Sequence, residues 1–184
     1  MKKSYIYILF GLMVIAQIAA SAQIVYKYEK TIASDSVFKF RTAPIDPSDP
    51  FRGKSIILNF DIDRYETSDD SWEDSKTRYA YFSKDEYGYA VLETVSKELL
   101  ADSNFEYVEV EIYNYYGDAV HFNLPFDTYY MEESKAYDAE VLYRENNRNE
   151  KQQDVYAVVH IKDGTYVLTD VIIDGVSIKD AVAK

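Results

Sequence analysis

The chain begins with an uncharged segment that is long enough to cross a lipid bilayer. No charged residue occurs in the range Ser4–Tyr26, most of whose positions are apolar; Lys2 and Lys3 precede it and Lys27 follows it. About 20 consecutive apolar residues, folded as a helix, span the roughly 30 Å hydrocarbon core. This segment predicts a first unit over residues 1–29 and a separately folded domain over residues 30–184.

Two interpretations of this segment remain open on its residues alone. Lys2 and Lys3, the apolar run Ile6–Ile18 and the small residues Ala20-Ser21-Ala22 before Gln23 are typical of a cleaved signal peptide. An uncleaved anchor is favoured by length, because the apolar character continues as far as Tyr26. Both interpretations place the domain outside the cytoplasm. The anchor interpretation predicts a single-pass protein of the cytoplasmic (inner) membrane with its N-terminus inside.

The composition excludes several classes of partner and chemistry. The formal net charge is −12, so we expect no nucleic-acid partner, since binding to phosphate needs a basic surface. The chain has no cysteine, which excludes disulfides, thiolate catalysis and a lipid attached to an N-terminal cysteine. Its 19 tyrosines favour half-buried strand surfaces.

Alternating apolar and polar residues predict a mainly β domain. In Ile56–Ile62 and Tyr107–Tyr113, apolar side chains alternate with polar ones as on a strand with one buried face. The pairs Gly117-Asp118, Asp163-Gly164 and Asp174-Gly175 indicate tight hairpin turns. Further strands are expected over Val37–Thr42, Arg78–Phe82, Gly88–Val95, Ala119–Leu124, Val155–Ile161, Thr165–Ile173 and Val176–Ile178.

One segment has a different pattern. Ser134–Arg148 contains good helix formers, no glycine and no run of β-branched residues. The expected fold is therefore an N-terminal transmembrane helix followed by an antiparallel β-barrel or sandwich-like domain with one packed α-helix.

The densest polar motif is a loop ahead of the Ile56–Ile62 strand. It consists of Pro44, Asp46, Pro47, Asp49, Arg52 and Gly53. The prolines restrict φ, the aspartates favour turns, and the arginine can bind a carboxylate in a bidentate manner. We expect this loop to be structural, with a ligand or metal site as the alternative.

Other candidates for ligand contact are acidic side chains. Asp61 and Asp63 share one face of the predicted strand, and Glu132 precedes the predicted helix. Their spacing does not match a calcium loop, and His121 and His160 lack the spacing of a metal site, so no metal or cofactor is predicted.

The range Pro44–Phe60 resembles the signature of the bacterial GDYXXLXY family, whose members are membrane-anchored and of uncharacterised function. The similarity continues through Leu124–Glu133 and Ala157–Gly175. Lys54 and Ser55 stand where the family name has Asp-Tyr, and Phe60 replaces the final tyrosine. The resemblance implies an uncleaved anchor and a multi-pass membrane protein as neighbour.

These observations favour a non-enzymatic binding or scaffolding protein of the bacterial cell envelope. The alternative is a carboxylate-dependent hydrolase, with or without a divalent cation, that acts on an envelope polymer. It would need two carboxyl groups at a defined separation, which the sequence does not specify.

The anchor interpretation predicts that the mature protein keeps its first residues. Because the apolar segment does not end at Ala22, N-terminal sequencing of protein isolated from membranes should give a first residue that lies before Gln23. A mature chain that begins at Gln23 would contradict the anchor and leave a secreted domain.

Overall fold

The computed structural model describes residues 3–42, 55–69, 72, 77–131, 135, 138–143 and 154–182. An N-terminal helix, α1 (Lys3–Ile32), leads into a strand-rich domain. This helix is long and apolar enough to cross a membrane, a property that signal sequences share, and none of its most apolar window is buried against the domain.

The helix continues without a break past Ala22 and ends where it meets the domain. Thr31 is buried and its hydroxyl donates to the carbonyl of Lys27 at 3.0 Å. Ser34 then donates to the carbonyl of Thr31 at 2.7 Å, which satisfies one of the free carbonyls at the helix end. The apolar helix is thus joined to the domain by an ordered turn.

Among the described residues, eleven strands follow the helix and form three antiparallel sheets. They are β1 (Val37–Arg41), β2 (Ser55–Ile57), β3 (Arg64–Glu66), β4 (Thr77–Lys84), β5 (Ala90–Ser96), β6 (Glu106–Tyr116), β7 (Ala119–Asn123), β8 (Thr128–Tyr130), β9 (Val155–Lys162), β10 (Thr165–Ile173) and β11 (Val176–Ser177). The sheet orders are β1-β9-β10-β11, β2-β8 and β3-β7-β6-β4-β5.

Two isolated bridges join these sheets into a nearly closed, barrel-like surface. Lys39 of β1 bridges Tyr89 beside β5, and Thr42 bridges Phe60 between β2 and β3. The mainly β fold after an apolar N-terminal helix is therefore confirmed. Residues 138–143, which we label α2, are helical and lie inside the predicted helix; Ala139 and Tyr143 are buried.

The three predicted hairpin turns are confirmed by their backbone angles. Both central residues of each turn have positive φ, from 48° at Asp163 and Asp174 to 80° at Gly175. A type I′ turn needs this geometry because its twist matches that of the paired strands.

Two details differ from the expectation. The alternation in Ile56–Ile62 is right, since Ile56, Leu58 and Phe60 are buried, but the segment is not one continuous strand. The N–H of Leu58 still donates to the carbonyl of Asp127, which extends the β2–β8 register by one residue. The chain then changes partners, and Phe60 bridges Thr42 at the end of β1. The predicted last strand ends at Ser177, whose side chain caps a short helix, α3 (Ile178–Ala181).

Gly164 offers a test of how the β9–β10 turn packs. A Cβ at this position would lie 2.7 Å from Cε2 of Tyr107, whereas a Cβ at Gly175 meets nothing within 4 Å. Both glycines have positive φ, so alanine at either should cost about 1–2 kcal/mol in backbone strain. Gly164→Ala should lower the free energy of unfolding by a further 1–3 kcal/mol, roughly, through overpacking.

Chemical denaturation of the two variants measures this difference directly. Gly175→Ala is the matched control, because it sits at the same position of an Asp-Gly turn. Equal losses in the two variants would show that contact with Tyr107 does not require glycine.

Candidate functional site

Most of the residues singled out from the sequence lie outside the described part of the chain. These are Pro44, Asp46, Pro47, Asp49, Arg52, Gly53 and Glu132. The structural role expected for the loop therefore stays a prediction.

The residues that flank this loop belong to the core. Before it, the Thr42 hydroxyl is buried and donates to the carbonyl of Val155 at 3.2 Å. After it, Leu58 and Phe60 occupy the Leu and final Tyr positions of the motif, and both are buried. This part of the motif packs the core.

Asp61 and Asp63 are both exposed, but they lie beside different parts of the domain. The N–H of Asp61 donates to the carbonyl of Arg41, which ties this point to β1. The carbonyl of Asp63 accepts the N–H of Phe122, and its side chain lines a groove that Asp61 does not line.

The groove is formed by two adjoining cavities of about 410 and 530 Å³. They share Tyr113, Asn123, Leu124 and Asp127 as a common wall. The first also contains Asn59 and Asp63, and the second contains Thr77, Glu109 and Glu111. We call this surface the acidic groove.

Strand alternation explains which side chains of β6 reach the acidic groove. Val108, Val110 and Ile112 are buried, so the residues between and after them, Glu109, Glu111 and Tyr113, face outward. The sheet register then sets Glu111 opposite Thr77 of β4 and Asn123 of β7.

Asp127 and Tyr113 define the middle of the groove. The carbonyl of Asp127 accepts the N–H of Leu58 at 2.7 Å, and its carboxylate accepts the Thr128 hydroxyl at 2.8 Å. Partial burial, and then the negative charge of Asp63, raise the pKa of the Tyr113 phenol. Tyr113 is therefore a neutral hydrogen-bond donor among carboxylates at physiological pH.

The charge of the acidic groove has one sign. Its described lining holds four carboxylates, from Asp63, Glu109, Glu111 and Asp127, and neither lysine nor arginine. All four side chains are exposed. The amides of Asn59 and Asn123 add further hydrogen-bonding groups. Such a surface attracts cations and cationic side chains.

Among the side chains that line the acidic groove, only Asp63 is a candidate from the sequence. The sequence does indicate that Glu109, Glu111 and Tyr113 face outward, because they alternate with apolar residues. Alternation does not indicate which outward face forms a groove. Asp127 carried no signal, because its position depends on pairing with Leu58, 69 positions earlier in the chain.

A second polar cluster lies on the outer face of β1 and β9, and its side chains bind one another. Tyr89 Oη donates to the two carboxylate oxygens of Asp154 at 2.7 and 2.6 Å. The Arg41 guanidinium lies 3.7 Å from the centre of the Tyr89 ring and forms an ion pair with Asp154 at 3.4 Å. This cluster fastens the β4–β5 turn to the start of β9.

The described residues contain no group of three His, Asp or Glu side chains suited to a metal ion. His121 lies on β7 and His160 on β9, in different sheets.

Comparison with known proteins gives one result. The model of the GDYXXLXY protein family matches residues 17–171, most of the chain. The chain therefore belongs to the GDYXXLXY family, whose function is uncharacterised. No curated protein and no solved structure matches it.

The Tyr89 cluster predicts a pH dependence of stability. Burial first, and then the hydrogen bond to Asp154, raise the pKa of Tyr89 to about 12. Because this folded-state value lies above the ordinary value of 10, the contribution to stability is complete below pH 10 and is lost as the pH rises towards 12.

Denaturation of wild type and Tyr89→Phe from pH 8 to 12.5 checks this. The variant should be less stable at pH 8, and the gap should shrink above pH 10. The difference in ultraviolet absorbance between the two proteins gives the titration of Tyr89 itself. A gap that stays constant to pH 12.5 would contradict the assigned hydrogen bond.

Proposed function

We propose that this protein is a membrane-anchored, non-enzymatic binding protein of the bacterial cell envelope, and that its acidic groove binds a cationic group on a partner. The domain lies outside the cytoplasm and the N-terminus inside, as the lysines that precede the apolar segment favour. The cytoplasmic (inner) membrane is the bilayer that α1 crosses.

The junction between α1 and the domain supports an uncleaved anchor. If cleavage followed Ala22, the remaining helix would carry Ile24, Val25 and Tyr26 with 59%, 61% and 71% of their surfaces exposed. In water, Ile24 and Val25 would each forgo about 1 kcal/mol or more that burial of this exposed surface in an apolar medium provides. In a bilayer the same exposure is favourable.

The binding function is carried by one observation: four carboxylates line one groove that has no lysine or arginine in its described wall. A cationic side chain entering the groove would meet several carboxylates at once, with amide and phenol groups beside them. Multiple acceptors suit a guanidinium or ammonium group, because charge-assisted hydrogen bonds are the stronger ones.

Binding fits the groove better than hydrolysis. A carboxyl group acts as a general acid near neutral pH when an apolar or buried setting favours its protonated form. The carboxylates of the acidic groove are all exposed, so they lack that setting. Hydrolysis of an envelope polymer remains the competing function.

The partner we propose is a multi-pass protein of the same membrane. Two proteins held in one bilayer meet at a high effective concentration, so a weak contact in the groove is enough for association. Exposed ion pairs are each worth only about 0.2–1 kcal/mol, which agrees with a weak, tether-assisted interaction.

A charge-matched pair of variants tests the groove. The triple variant Glu109→Gln, Glu111→Gln, Asp127→Asn removes three groove charges. The control Glu66→Gln, Glu93→Gln, Asp118→Asn removes three exposed charges from side chains that do not line the groove. Full-length protein in nanodiscs of uncharged lipid is titrated with a fluorescent hexalysine peptide at low salt.

The groove variant should bind hexalysine roughly 5- to 30-fold more weakly than wild type, from about 1–2 kcal/mol of lost ion pairing. The control should change affinity about twofold or less. Equal weakening by the two variants would mean that net charge alone attracts the peptide, and would overturn the groove as a site.

A further inference from the structure

We propose that the end of the domain next to α1 rests on the lipid surface through Tyr87, Leu99, Leu100 and Phe105. This inference depends on the anchoring part of the proposed function. We call the surface the basal face; it comprises residues 33–36, 85–89, 97–105 and 163–164.

Hydrogen bonds place these segments beside the end of the helix. Ser36, four residues after α1, donates to Glu106 at 3.2 Å. Lys84, at the end of β4, donates to the carbonyl of Asp35 at 3.2 Å. The start of β6 and the end of β4 are thus held where the helix enters the domain.

The β9–β10 turn belongs to the same end. The N–H of Asp163 donates to the second carboxylate oxygen of Glu106 at 3.1 Å, and Gly164 packs against Tyr107. A small cavity of about 290 Å³ lies between Asp163 and residues 99–107.

The apolar side chains of the basal face are exposed to an unusual degree. The exposed fraction is 68% for Tyr87, 51% for Leu99, 46% for Leu100 and 43% for Phe105. On α1, Tyr28 and Ile32 are exposed as well. The basal face therefore presents apolar side chains at the end of the domain that the helix enters.

The backbone holds these side chains outward. The N–H of Leu100 donates to Tyr81 Oη at 2.7 Å, and Tyr81 is fully buried. The N–H groups of Tyr87 and Tyr89 both donate to the Asp85 carboxylate, at 2.9 and 2.8 Å. The N–H of Phe105 donates to Ser103 Oγ at 3.1 Å. The hydrogen bonds within these loops therefore keep the side chains exposed.

Lipid is the occupant that these observations favour. The uncharged segment of α1 ends at Tyr26, six residues before the helix enters the domain, which is about 9 Å at roughly 1.5 Å per residue and brings the basal face close to the lipid headgroups. Tyrosine, phenylalanine and leucine are residues that enter the boundary between headgroups and acyl chains. Asp85, Glu86, Glu98 and Asp102 lie in the same segments, so attraction to anionic lipid does not drive the contact. A zwitterionic bilayer should suffice.

The cysteine-free chain allows a direct test on the full-length protein. Single variants Leu99→Cys and Phe105→Cys are labelled with a bimane fluorophore and placed in nanodiscs of zwitterionic lipid that carries a nitroxide high on the acyl chain. Ile15→Cys in α1, at the centre of the uncharged segment, reports on the anchor and is measured in nanodiscs whose lipid carries the nitroxide near the end of the acyl chain. Tyr116→Cys is the distal control, since it is 77% exposed and ends β6, about 33 Å along the strand from Glu106 at roughly 3.3 Å per residue.

Bimane at Leu99 and Phe105 should lose at least half of its fluorescence relative to nitroxide-free nanodiscs, while bimane at Tyr116 should lose under a tenth. Raising the salt concentration should not change this. Thermal unfolding confirms that each labelled variant is folded, and Tyr87→Cys provides a third position on the basal face.

The outcomes separate the two proposals. Quenching at Ile15 without quenching at Leu99, Phe105 and Tyr87 overturns the lipid contact and leaves the anchor intact. Bimane at the basal positions that is shielded from water but not quenched by lipid indicates a protein contact, which also overturns it. Absence of quenching at Ile15 contradicts the anchor itself.

Discussion

The Phe40 ring holds the three sheets together, and the remaining structure depends on it. It is fully buried, and its centre lies 4.8 Å from that of Phe126, 5.2 Å from Phe82 and 5.9 Å from Phe60. Phe40 belongs to β1, Phe82 to β4, and Phe60 and Phe126 flank the small β2–β8 sheet. These edge-to-face pairs contribute about 0.5–1.5 kcal/mol each beyond their buried area. Few backbone bridges join the sheets, so side-chain packing has to fix their relative positions.

The acidic groove lies on the solvent-exposed side of the same segments whose inward side chains form this aromatic cluster. Because Phe60 points into the aromatic cluster, Asn59 and Asp63 on the same segment point out. On β6 the same rule turns Val110 inward and Glu111 outward. The pairing of β6 with β7, and the hydrogen bond from the N–H of Phe122 to the carbonyl of Asp63, bring these two sets of outward side chains side by side. Changes to the aromatic cluster would therefore displace the carboxylates of the groove without touching them.

The distinction between local and non-local contacts explains which features the sequence could predict. Alternation is local, so the inward set Ile56, Leu58 and Phe60 and the three hairpin turns were read correctly from neighbouring residues. Partner exchange is non-local: nothing within Ile56–Ile62 indicates that Leu58 pairs with Asp127 while Phe60 pairs with Thr42. The acidic groove arises from that exchange, so only Asp63 was identified beforehand. The buried position of Phe60 also accounts for phenylalanine in place of the family tyrosine, since the ring fills the core without a hydroxyl group.

The junction at Glu106 links α1 to the groove. One carboxylate accepts hydrogen bonds from Ser36 after α1 and from Asp163 in the β9–β10 turn, and β6 starts at this same residue. Glu109 and Tyr113 follow three and seven residues later, so the groove begins about 10 Å from the junction and extends to about 23 Å at roughly 3.3 Å per residue. If the basal face rests on lipid as proposed, the groove stands no farther from the bilayer than this length of strand, because a tilted strand rises by less than its own length. The extramembrane loops of the proposed partner would then reach it. A stiff junction would thus set the height of the groove above the membrane, which a flexible linker could not do.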